Sequence, residues 1–212
     1  METLRLYDFL PSGNGYKIRL LLTQIGMPFE RIEVNITKGE SRTADFLSKN
    51  PNGKIPVLEV KPGKYLTESN AIMVYLSEGT EFLPYEPFLR AKVLQWLFFE
   101  QYSHEPYIAT SRFWISILGK AKEYSATLEQ KREPGYAALG IMEKHLSNHN
   151  FFVGERYTIA DIGLFAYTHV AEEGGFNLSL FPAIQAWIER VKAQPGHISI
   201  TEEIKPFQIA EC

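Results

Sequence analysis

The order of strand and helix signals in the first 80 residues constrains the fold of this chain more than any other feature. An apolar strand from Leu4 to Phe9 is followed by a helical stretch from Tyr16 to Gly26, and a second strand runs from Phe29 to Val34. Two strands separated by one helix predict a parallel pair with a right-handed crossover. The chain is therefore expected to begin with a βαβ unit.

A hairpin and a helix complete this region. The apolar runs Val57 to Val60 and Tyr65 to Thr67 flank the segment Lys61-Pro62-Gly63-Lys64, whose proline and glycine are typical of a turn. A helix is expected from Ser69 to Leu76. The region is thus predicted to be an α/β domain with the order βαβ, then ββα.

A proline opens the third strand of this domain. Proline cannot donate a hydrogen bond to a sheet, so Pro56 before Val57 indicates an edge, a bulge or a cis peptide bond. A cis bond between Ile55 and Pro56 would turn the main chain of Ile55 outward and leave its N–H and C=O groups available to a peptide ligand. Glu68 and Ser69 stand where the next helix begins, a position that favours an anion. Together these residues predict a binding site for a small peptide that carries a carboxylate.

The rest of the chain has a helical pattern. Residues 81–87 contain two prolines and no sustained periodicity, which indicates a linker. Beyond the linker we expect helices from Phe88 to Tyr102, from Tyr107 to Gly119, from near Pro134 to about Ser147, after the capping motif Thr158-Ile159-Ala160-Asp161, and from Pro182. We therefore predict an α/β domain of residues 1–80 and an all-helical domain of residues 88–212.

The composition excludes several kinds of function. Lys and Arg number 22 against 25 Asp and Glu, a net charge of −3, and they are scattered, so no surface for nucleic acid is expected. No apolar run is long enough to span a membrane, and the N-terminus has no signal-peptide pattern. The single cysteine, Cys212, and five histidines without metal-ligand spacing predict a cytoplasmic protein with no internal disulfide and no metal.

Five motifs in a fixed order carry a resemblance to a known family. They are Pro-Ser-Gly-Asn-Gly at residues 11–15, Asn-Gly-Lys-Ile-Pro-Val-Leu at 52–58, Glu-Ser-Asn-Ala-Ile at 68–72, Phe-Phe-Val-Gly-Glu at 151–155 and Tyr-Thr-Ile-Ala-Asp at 157–161. With these motifs the chain resembles the cytosolic glutathione transferase superfamily over nearly all of its length. It looks most like bacterial-type members that carry a Ser-Gly-Asn turn.

The resemblance implies a fold and a function. The implied fold is a thioredoxin-like N-terminal domain followed by a helical-bundle C-terminal domain. The implied protein is a homodimer active in detoxification, with glutathione as cosubstrate and a small-molecule electrophile as its partner. The helical domain would contribute most of the electrophile pocket.

A transferase of this family must stabilise the thiolate of glutathione, because the thiol is a much weaker nucleophile. Ser12 matches the serine of serine-type members, whose hydroxyl donates a hydrogen bond to the sulfur, although a serine here is also a common helix cap. Asn14 is the rival, either as the cap or as the sulfur contact. Tyr7 matches the tyrosine of other classes less well, since strand alternation points it to the opposite face of the sheet, and we expect it in the core.

The resemblance also assigns the parts of glutathione to residues. The main chain of Ile55, beside Pro56, would pair with the cysteinyl moiety, so its side chain matters little. The γ-glutamyl end would bind Glu68 through its ammonium and Ser69 through its carboxylate. Lys54 is a candidate for a carboxylate of glutathione, and Lys38 is a weaker candidate for the glycyl carboxylate, against the commoner alternative of a solvated lysine.

The electrophile pocket is assigned to residues from both domains. Phe9, Leu10 and Phe113 are expected to form its apolar wall, and Tyr107 or Arg112 to orient a polar acceptor. Pro106 is expected to break the helix nearby. Alternatively, the aromatic side chains of these candidates belong to the core, and Arg112 pairs with Glu105 or Asp161.

The sequence predicts a glutathione transferase that acts on an electrophile or a peroxide. The alternatives are a glutathione-dependent isomerase or dehalogenase, and a glutathione-binding module without turnover. Redox deglutathionylation in this family needs a cysteine in the turn, and residues 11–15 contain none, which argues against that class. Asp161 matches a helix cap of the family and is expected to serve folding.

Overall fold

The structure is a computed structural model that describes residues 3–203. The chain divides into two compact units, each described separately. Residues 3–78 and 195–203 belong to the first unit, and residues 79–194 form the second.

The first unit contains a four-stranded mixed sheet. Its strands are Leu4–Asp8 (β1), Phe29–Glu33 (β2), Val57–Lys61 (β3) and Lys64–Thr67 (β4). The order across the sheet is β2-β1-β3-β4, with β1 and β2 parallel and the other neighbours antiparallel. The predicted parallel pair and hairpin are both confirmed. Gly63 has a φ of 74° in the hairpin turn, a conformation that glycine adopts without strain.

Three α-helices accompany this sheet. They are Gly13–Gln24 (α1), Ala44–Lys49 (α2) and Ser69–Leu76 (α3). Two short 3-10 turns, Ile36–Lys38 and Glu40–Arg42, connect β2 to α2. The predicted order βαβ-ββα is the observed order of the main elements, and α2 lies between the two halves.

Helix α1 is more deeply buried than its sequence pattern indicates. The periodicity predicts one apolar face, but every residue from Gly15 to Leu22 is buried. Two of these buried residues, Lys17 and Arg19, are cations. Charged side chains are rarely buried unless they have partners, so α1 requires polar groups from other segments of the chain.

The second unit is helical. Its α-helices are Pro87–Phe99 (α4), Glu105–Arg112 (α5), Ser125–Leu146 (α6), Ile159–Thr168 (α7) and Pro182–Lys192 (α8). The last helix begins at Pro182 as predicted, and its apolar residues Ile184, Trp187, Ile188 and Val191 are buried. The all-helical character predicted for this region is confirmed.

The prediction that Pro106 breaks the helix is wrong. Helical backbone continues from α4 through a π-helical turn, Glu100–His104, into α5, and a second π-helical turn, Phe113–Ile117, follows. Pro106 stands in the first turn of α5, directly after the π turn. The wider turn interrupts the regular hydrogen-bond ladder there, so the missing N–H of proline does not end the helix.

The predicted start of a helix near Pro134 is also wrong. Helix α6 begins at Ser125, and Pro134 lies inside it. Proline favours the first turn of a helix, but here the helix has tertiary contacts on both sides of Pro134. Before it, the Lys131 ammonium donates to the carbonyl oxygen of Pro106 at 2.7 Å. Ala138, Leu139 and Met142 are all buried on the C-terminal half of this helix. Tertiary packing therefore outweighs the local preference of proline.

The capping motif of α7 is confirmed. The Thr158 hydroxyl accepts a hydrogen bond from the N–H of Ala160, and the N–H of Thr158 donates to Asp161 at 2.9 Å. Asp161 also accepts hydrogen bonds from the N–H of Phe152 and from the indole N–H of Trp187, at 3.2 and 3.0 Å. The carboxylate thus joins three segments of the helical unit.

The C-terminal stretch differs from the predicted domain limits. Residues 195–203 are grouped with the first unit, whereas the sequence placed everything from 88 to 212 in the helical domain. Ile198 and Ile200 are buried, and their carbonyl oxygens accept hydrogen bonds from Tyr16 and Arg19 of α1. Cys212 lies outside the described residues. No helix within residues 3–203 is both long enough and apolar enough to cross a membrane.

Candidate active site

The register of the sheet brings most of the candidate residues to one end of it. Val57 lies opposite both Tyr7 of β1 and Thr67 of β4. Because both pairings are antiparallel, the end of β1, the start of β3 and the end of β4 lie at the same end of the sheet. Strand β2 is parallel to β1 and ends there as well. This end of the sheet therefore carries the segments that contain Ser12, Lys38, Ile55 and Glu68.

Ser12 is the N-cap residue of α1. Its hydroxyl oxygen accepts a hydrogen bond from the N–H of Gly15 at 3.3 Å. Capping uses a lone pair of the oxygen and not its proton. No acceptor for that proton is found among residues 3–203, so the half-buried hydroxyl of Ser12 keeps its capacity to donate.

Asn14 is not the cap of α1. It lies inside the helix, one residue after Gly13, where its side chain cannot accept from the first free N–H groups. Its carbonyl oxygen Oδ1 instead accepts a hydrogen bond from the Ser69 hydroxyl at 3.2 Å. Asn14 therefore connects the start of α1 to the start of α3.

Glu68 and Ser69 form the start of α3. Glu68 is exposed and has a φ of 66°, a left-handed conformation that is unusual for any residue but glycine. Its side chain makes no capping hydrogen bond to α3. Backbone strain of this kind is common at binding sites. Ser69 is buried, and its hydroxyl bonds to Asn14 as described.

The bond between Ile55 and Pro56 is cis, one of the three arrangements that the sequence allowed. Ile55 is half-buried, with its side chain against the cluster of Val34, Phe46 and Val57. Neither its N–H nor its C=O has a hydrogen-bond partner in the part of the chain that the structure describes. Main-chain groups without partners are rare except where water or a ligand binds them.

The two candidate lysines are exposed. Lys38 ends the first 3-10 turn after β2, and the side chain of Asn35 caps that turn. The carbonyl oxygen of Lys54 accepts a hydrogen bond from the Asn50 amide at 2.7 Å, which fixes the main chain just before Ile55.

Tyr7 points away from the turn that contains Ser12, as its position in the strand predicts. Its hydroxyl donates to Glu59 at 3.2 Å, and its ring packs with Tyr65. Burial and the neighbouring carboxylate of Glu59 raise the pKa of Tyr7 to about 12. Tyr7 is thus part of the core on its face of the sheet.

Comparisons with known proteins identify the family. Models of "Glutathione S-transferase, N-terminal domain" and "Glutathione S-transferase, C-terminal domain" match residues 2–78 and 95–195. The disulfide-bond oxidoreductase YfcG of Escherichia coli is 30% identical over 195 residues, with 89% of this chain and 90% of that protein covered. A glutathione S-transferase structure from Pseudomonas fluorescens superposes with a TM-score of 0.92 at 52% identity, covering 95% of this chain and 100% of the other.

The chain belongs to the cytosolic glutathione transferase superfamily. Its first unit is the thioredoxin-like domain of that superfamily and its second unit is the helical domain. A further member, a glutathione transferase from Pseudomonas putida, was crystallised with one glutathione disulfide bound per subunit. It superposes with a TM-score of 0.80 at 28% identity, covering 92% of this chain and 89% of the other.

The electrophile-pocket candidates of this superfamily member are placed within their own units. In the first unit, Phe9 is buried between β1 and α1, and the carbonyl oxygen of Leu10 accepts from Arg19 at 2.6 Å. In the second unit, Tyr107 and Phe113 are half-buried, and the ammonium of Lys131 lies 5.6 Å from the Tyr107 ring. These residues remain candidates for the pocket.

Arg112 has a partner that the sequence did not suggest. Its guanidinium pairs with Glu173 at 2.7 Å. Glu173 lies in a 3-10 turn after α7, a segment whose position next to α5 has no sequence signal. Asp161 is occupied by the cap of α7.

Sequence reasoning missed a buried ion pair beside the turn. Asp8 and Arg19 are both fully buried, and their side chains approach to 2.9 Å. Burial raises the pKa of Asp8 to about 6, against the opposing effect of Arg19. A Cβ atom on Gly15 would lie 1.5 Å from an oxygen of Asp8, so only glycine fits there. The ion pair thus fixes α1 against the end of β1.

Lys17 is a second missed residue, and it lies within the site. Its ammonium is 3.4 Å from the hydroxyl of Ser69 and 3.5 Å from the side-chain oxygen of Asn70. A sequence signal existed for both missed cations, because Lys17 and Arg19 interrupt an otherwise apolar helix segment. No group of three or more His, Cys, Asp or Glu side chains that could hold a metal occurs within residues 3–203.

Proposed function

We propose that the protein is a glutathione transferase in which Ser12 stabilises the thiolate of bound glutathione. The observation that carries the proposal is the unpaired main chain of Ile55 at the end of the sheet where Ser12 and Ser69 also lie. An extended peptide binds to such main-chain groups as an additional strand would. The glutathione disulfide in the related Pseudomonas putida structure supports glutathione as that peptide.

Ser12 acts as a hydrogen-bond donor and not as a base. Its oxygen caps α1 through a lone pair, so the same hydroxyl donates its proton to the sulfur. A hydrogen bond to the charged form lowers the pKa of the glutathione thiol. The N-terminus of α1 adds a favourable field for the thiolate. The thiolate then attacks an electrophilic carbon or a peroxide oxygen, and the leaving group departs with the bonding electrons.

The other ends of glutathione are assigned to charged and polar groups. The α-carboxylate of the γ-glutamyl residue binds at Ser69, at the start of α3, and its ammonium pairs with the exposed carboxylate of Glu68. The glycyl carboxylate is assigned to the exposed lysines Lys38 and Lys54. Asn14 has its carbonyl oxygen committed to Ser69, so its role is to hold the γ-glutamyl subsite next to the sulfur subsite.

As the superfamily resemblance implies, contacts to the electrophile are assigned to Phe9 and Leu10 of the first unit and to Tyr107, Arg112 and Phe113 of the second. Arg112 would act there as part of its ion pair with Glu173, which limits its freedom to follow a substrate. The protein is further proposed to work as a cytoplasmic homodimer in detoxification, as the superfamily resemblance implies.

Replacing Ser12 tests the catalytic assignment. Ser12→Ala is expected to lower kcat/KM with a chlorodinitrobenzene-type acceptor by roughly 10²- to 10³-fold. It should also raise the pKa of bound glutathione, followed through the ultraviolet absorbance of the thiolate. Ser48→Ala, which removes an exposed hydroxyl of α2, is the matched control and should leave both quantities unchanged. Ser12→Thr keeps both the acceptor and the donor and is expected to restore much of the activity.

Asn14→Ala distinguishes the two turn residues. It is expected to weaken glutathione binding with a smaller effect on the pKa of the bound thiol. Full turnover in Ser12→Ala together with a loss of turnover in Asn14→Ala would contradict the assignment of Ser12. A wild-type protein that binds immobilised glutathione but turns over no electrophile or peroxide would support a binding module instead.

The likeness to YfcG favours a second candidate function, reduction of disulfides by glutathione. The thiolate of one glutathione attacks a disulfide and releases a thiolate, and a second glutathione resolves the mixed disulfide. The products are two thiols and glutathione disulfide, so electrons balance without a protein cysteine, and the turn at residues 11–15 has none. This activity is measured as the rate at which glutathione disulfide forms in the presence of a small disulfide, detected through glutathione reductase. That rate is compared with the rate of conjugation to an electrophile. An isomerase or a hydrolytic dehalogenase would instead regenerate glutathione, with no net oxidation.

A further inference from the structure

The turn between β1 and α1 has a sequence that does not by itself favour a turn. The N–H of Ser12 donates to the carbonyl oxygen of Phe9 at 2.8 Å, which closes a four-residue turn with Leu10 and Pro11 at its centre. Proline is disfavoured at the third position of the commonest turn, because it drives the residue before it out of the helical conformation. The placement of the Ser12 hydroxyl therefore depends on contacts from outside the turn.

Arg19 of α1 supplies such a contact from the interior of the first unit. None of its surface is exposed. Its guanidinium has three partners, one at each nitrogen. Nε lies 2.9 Å from a carboxylate oxygen of Asp8, Nη2 donates to the carbonyl oxygen of Leu10 at 2.6 Å, and Nη1 donates to that of Ile200 at 3.1 Å. Because a guanidinium is planar and rigid, it fixes the positions of these partners relative to one another.

The bond to Leu10 is the one that reaches the turn. The carbonyl of Leu10 belongs to the peptide group that joins Leu10 to Pro11, and the ring of proline fixes the next φ at about −65°. A single backbone rotation, at ψ of Pro11, then separates this peptide group from the one that contains the N–H of Ser12. That N–H is itself bonded to Phe9. The guanidinium thus defines the path of the chain up to Ser12.

We propose that Arg19 is a positioning residue for catalysis, which acts through the carbonyl of Leu10 to hold the Ser12 hydroxyl where it donates to the sulfur of glutathione. The inference rests on the proposed function, because it concerns the placement of the sulfur donor assigned there. Arg19 is fully buried and acts only through the turn. Hydrogen bonds weaken steeply with distance and angle, so a displaced hydroxyl stabilises the thiolate less. The subsites at Ile55 and Ser69 do not depend on this bond.

Arg19→Lys tests the proposal and keeps a positive charge next to Asp8. Lysine has no planar fork and cannot hold the three partners in the same geometry. The pKa of the bound thiol, followed through the ultraviolet absorbance of the thiolate, is expected to rise by about 1. At a pH below that pKa, kcat with a chlorodinitrobenzene-type acceptor should fall by up to about tenfold. The affinity for S-methylglutathione, which has no thiol to ionise, should stay within about threefold of wild type in calorimetric titrations.

Ser12→Ala gives the readout that a merely structural role would not move. Because Arg19 acts through the Ser12 hydroxyl, Arg19→Lys should raise the pKa of the bound thiol in the wild-type background and leave it nearly unchanged in Ser12→Ala. Arg5→Lys is the matched control, since Arg5 lies near the start of β1 and pairs with Glu30 at 3.0 Å. It should leave both the thiol pKa and the affinity for S-methylglutathione unchanged. A general loosening of the fold would lower that affinity and would persist in Ser12→Ala.

The double variant Asp8→Asn with Arg19→Met gives a second approach, should Arg19→Lys fail to fold. It removes both buried charges together, so neither is left unpaired, and it has no donor for the Leu10 carbonyl. The thiol pKa is expected to rise as in Arg19→Lys. A thiol pKa that stays at the wild-type value in the folded Arg19 variants, but rises in Ser12→Ala, overturns the role of Arg19 and leaves the proposed function intact. An undiminished effect of Arg19→Lys in Ser12→Ala also overturns it. A wild type without saturable glutathione binding, or with a thiol pKa that Ser12→Ala does not change, overturns both.

Discussion

At the scale of single residues, the site depends on side chains that serve two partners at once. Ser12 accepts a hydrogen bond from α1 while its proton stays available, and Ser69 accepts from Lys17 while it donates to Asn14. Hydroxyl groups suit this because each has one donor and two lone pairs. Folding and ligand binding thus use different atoms, or different lone pairs, of the same residues.

Asp161 of the helical unit also serves several partners at once, and its titration predicts how stability depends on pH. Its four donors come from Phe152, Trp187 and Thr158, but complete burial is the larger effect and raises the pKa of Asp161 to about 6 from 3.8. Between these values the folded state binds the proton more tightly than the unfolded state. The contribution of Asp161 to the free energy of unfolding is therefore full below about pH 4 and declines by about 3 kcal/mol as the pH rises through 6.

Asp161→Asn isolates this effect, because asparagine does not titrate. Urea unfolding of wild type and variant from pH 4 to pH 7 gives the difference in their free energies of unfolding at each pH. Other titrating groups cancel in that difference, which is expected to fall as the pH rises. Turnover per folded molecule should stay unchanged. A difference that is flat or grows with pH would contradict the raised pKa.

At the scale of secondary structure elements, α1 is positioned by close contacts on several sides. Gly15 faces the Asp8 carboxylate, Arg19 pairs with that carboxylate, and Lys17 bonds to α3. Because the catalytic candidate Ser12 is the first residue before this helix, any displacement of α1 also moves the hydroxyl. The precision of the site is therefore a property of the whole helix.

Gly15→Ala is expected to displace α1. The added methyl group would meet a buried oxygen that is itself fixed by Arg19, and we expect a loss of about 3 kcal/mol or more in the free energy of unfolding. Gly140→Ala in α6 is the matched control, since a Cβ there meets nothing within 4 Å. That change should stabilise the protein by about 0.5–1 kcal/mol. Urea unfolding curves measure both, and equal stability of the two variants would refute the packing argument.

The elements differ in how well the sequence predicts them. Thr158 and Asp161 define their cap because the two partners are three residues apart, and the hairpin at Gly63 is equally local. Pro134 misleads because its neighbours in α6 are packed by segments far away in sequence. In the site, the positions of Ser12 and Ser69 follow from local sequence signals. The hydrogen bond from Lys17 to Ser69 joins residues 52 apart in sequence, and no local pattern predicts it.

At the scale of the whole molecule, the chain leaves the first unit after residue 78 and returns to it at residue 195. Three hydrogen bonds fasten the returning stretch to α1, from Tyr16 to Ile198, from Arg19 to Ile200 and from Gln24 to Pro195. Ile198 and Ile200 are also buried. The thioredoxin-like unit is therefore built from two separate parts of the sequence.

A truncation series tests the importance of this stretch. A chain that ends at Gln194 loses all three hydrogen bonds and leaves the buried groups of Tyr16 and Arg19 without these acceptors. We expect its free energy of unfolding to fall by about 4 kcal/mol or more, with weaker glutathione binding. A chain that ends at Glu203 keeps the three bonds and serves as the control. Equal stability of the two chains would show that the stretch is dispensable.

The return of the chain at residue 195 has a consequence for the order of events on the ribosome. Domains generally fold from the N-terminus as they are synthesised. Here the last segment of the N-terminal unit is synthesised only after the entire helical unit, because the acceptors for Tyr16 and Arg19 come from residues 198 and 200. The part of the protein that holds the thiolate site is thus translated first and completed last.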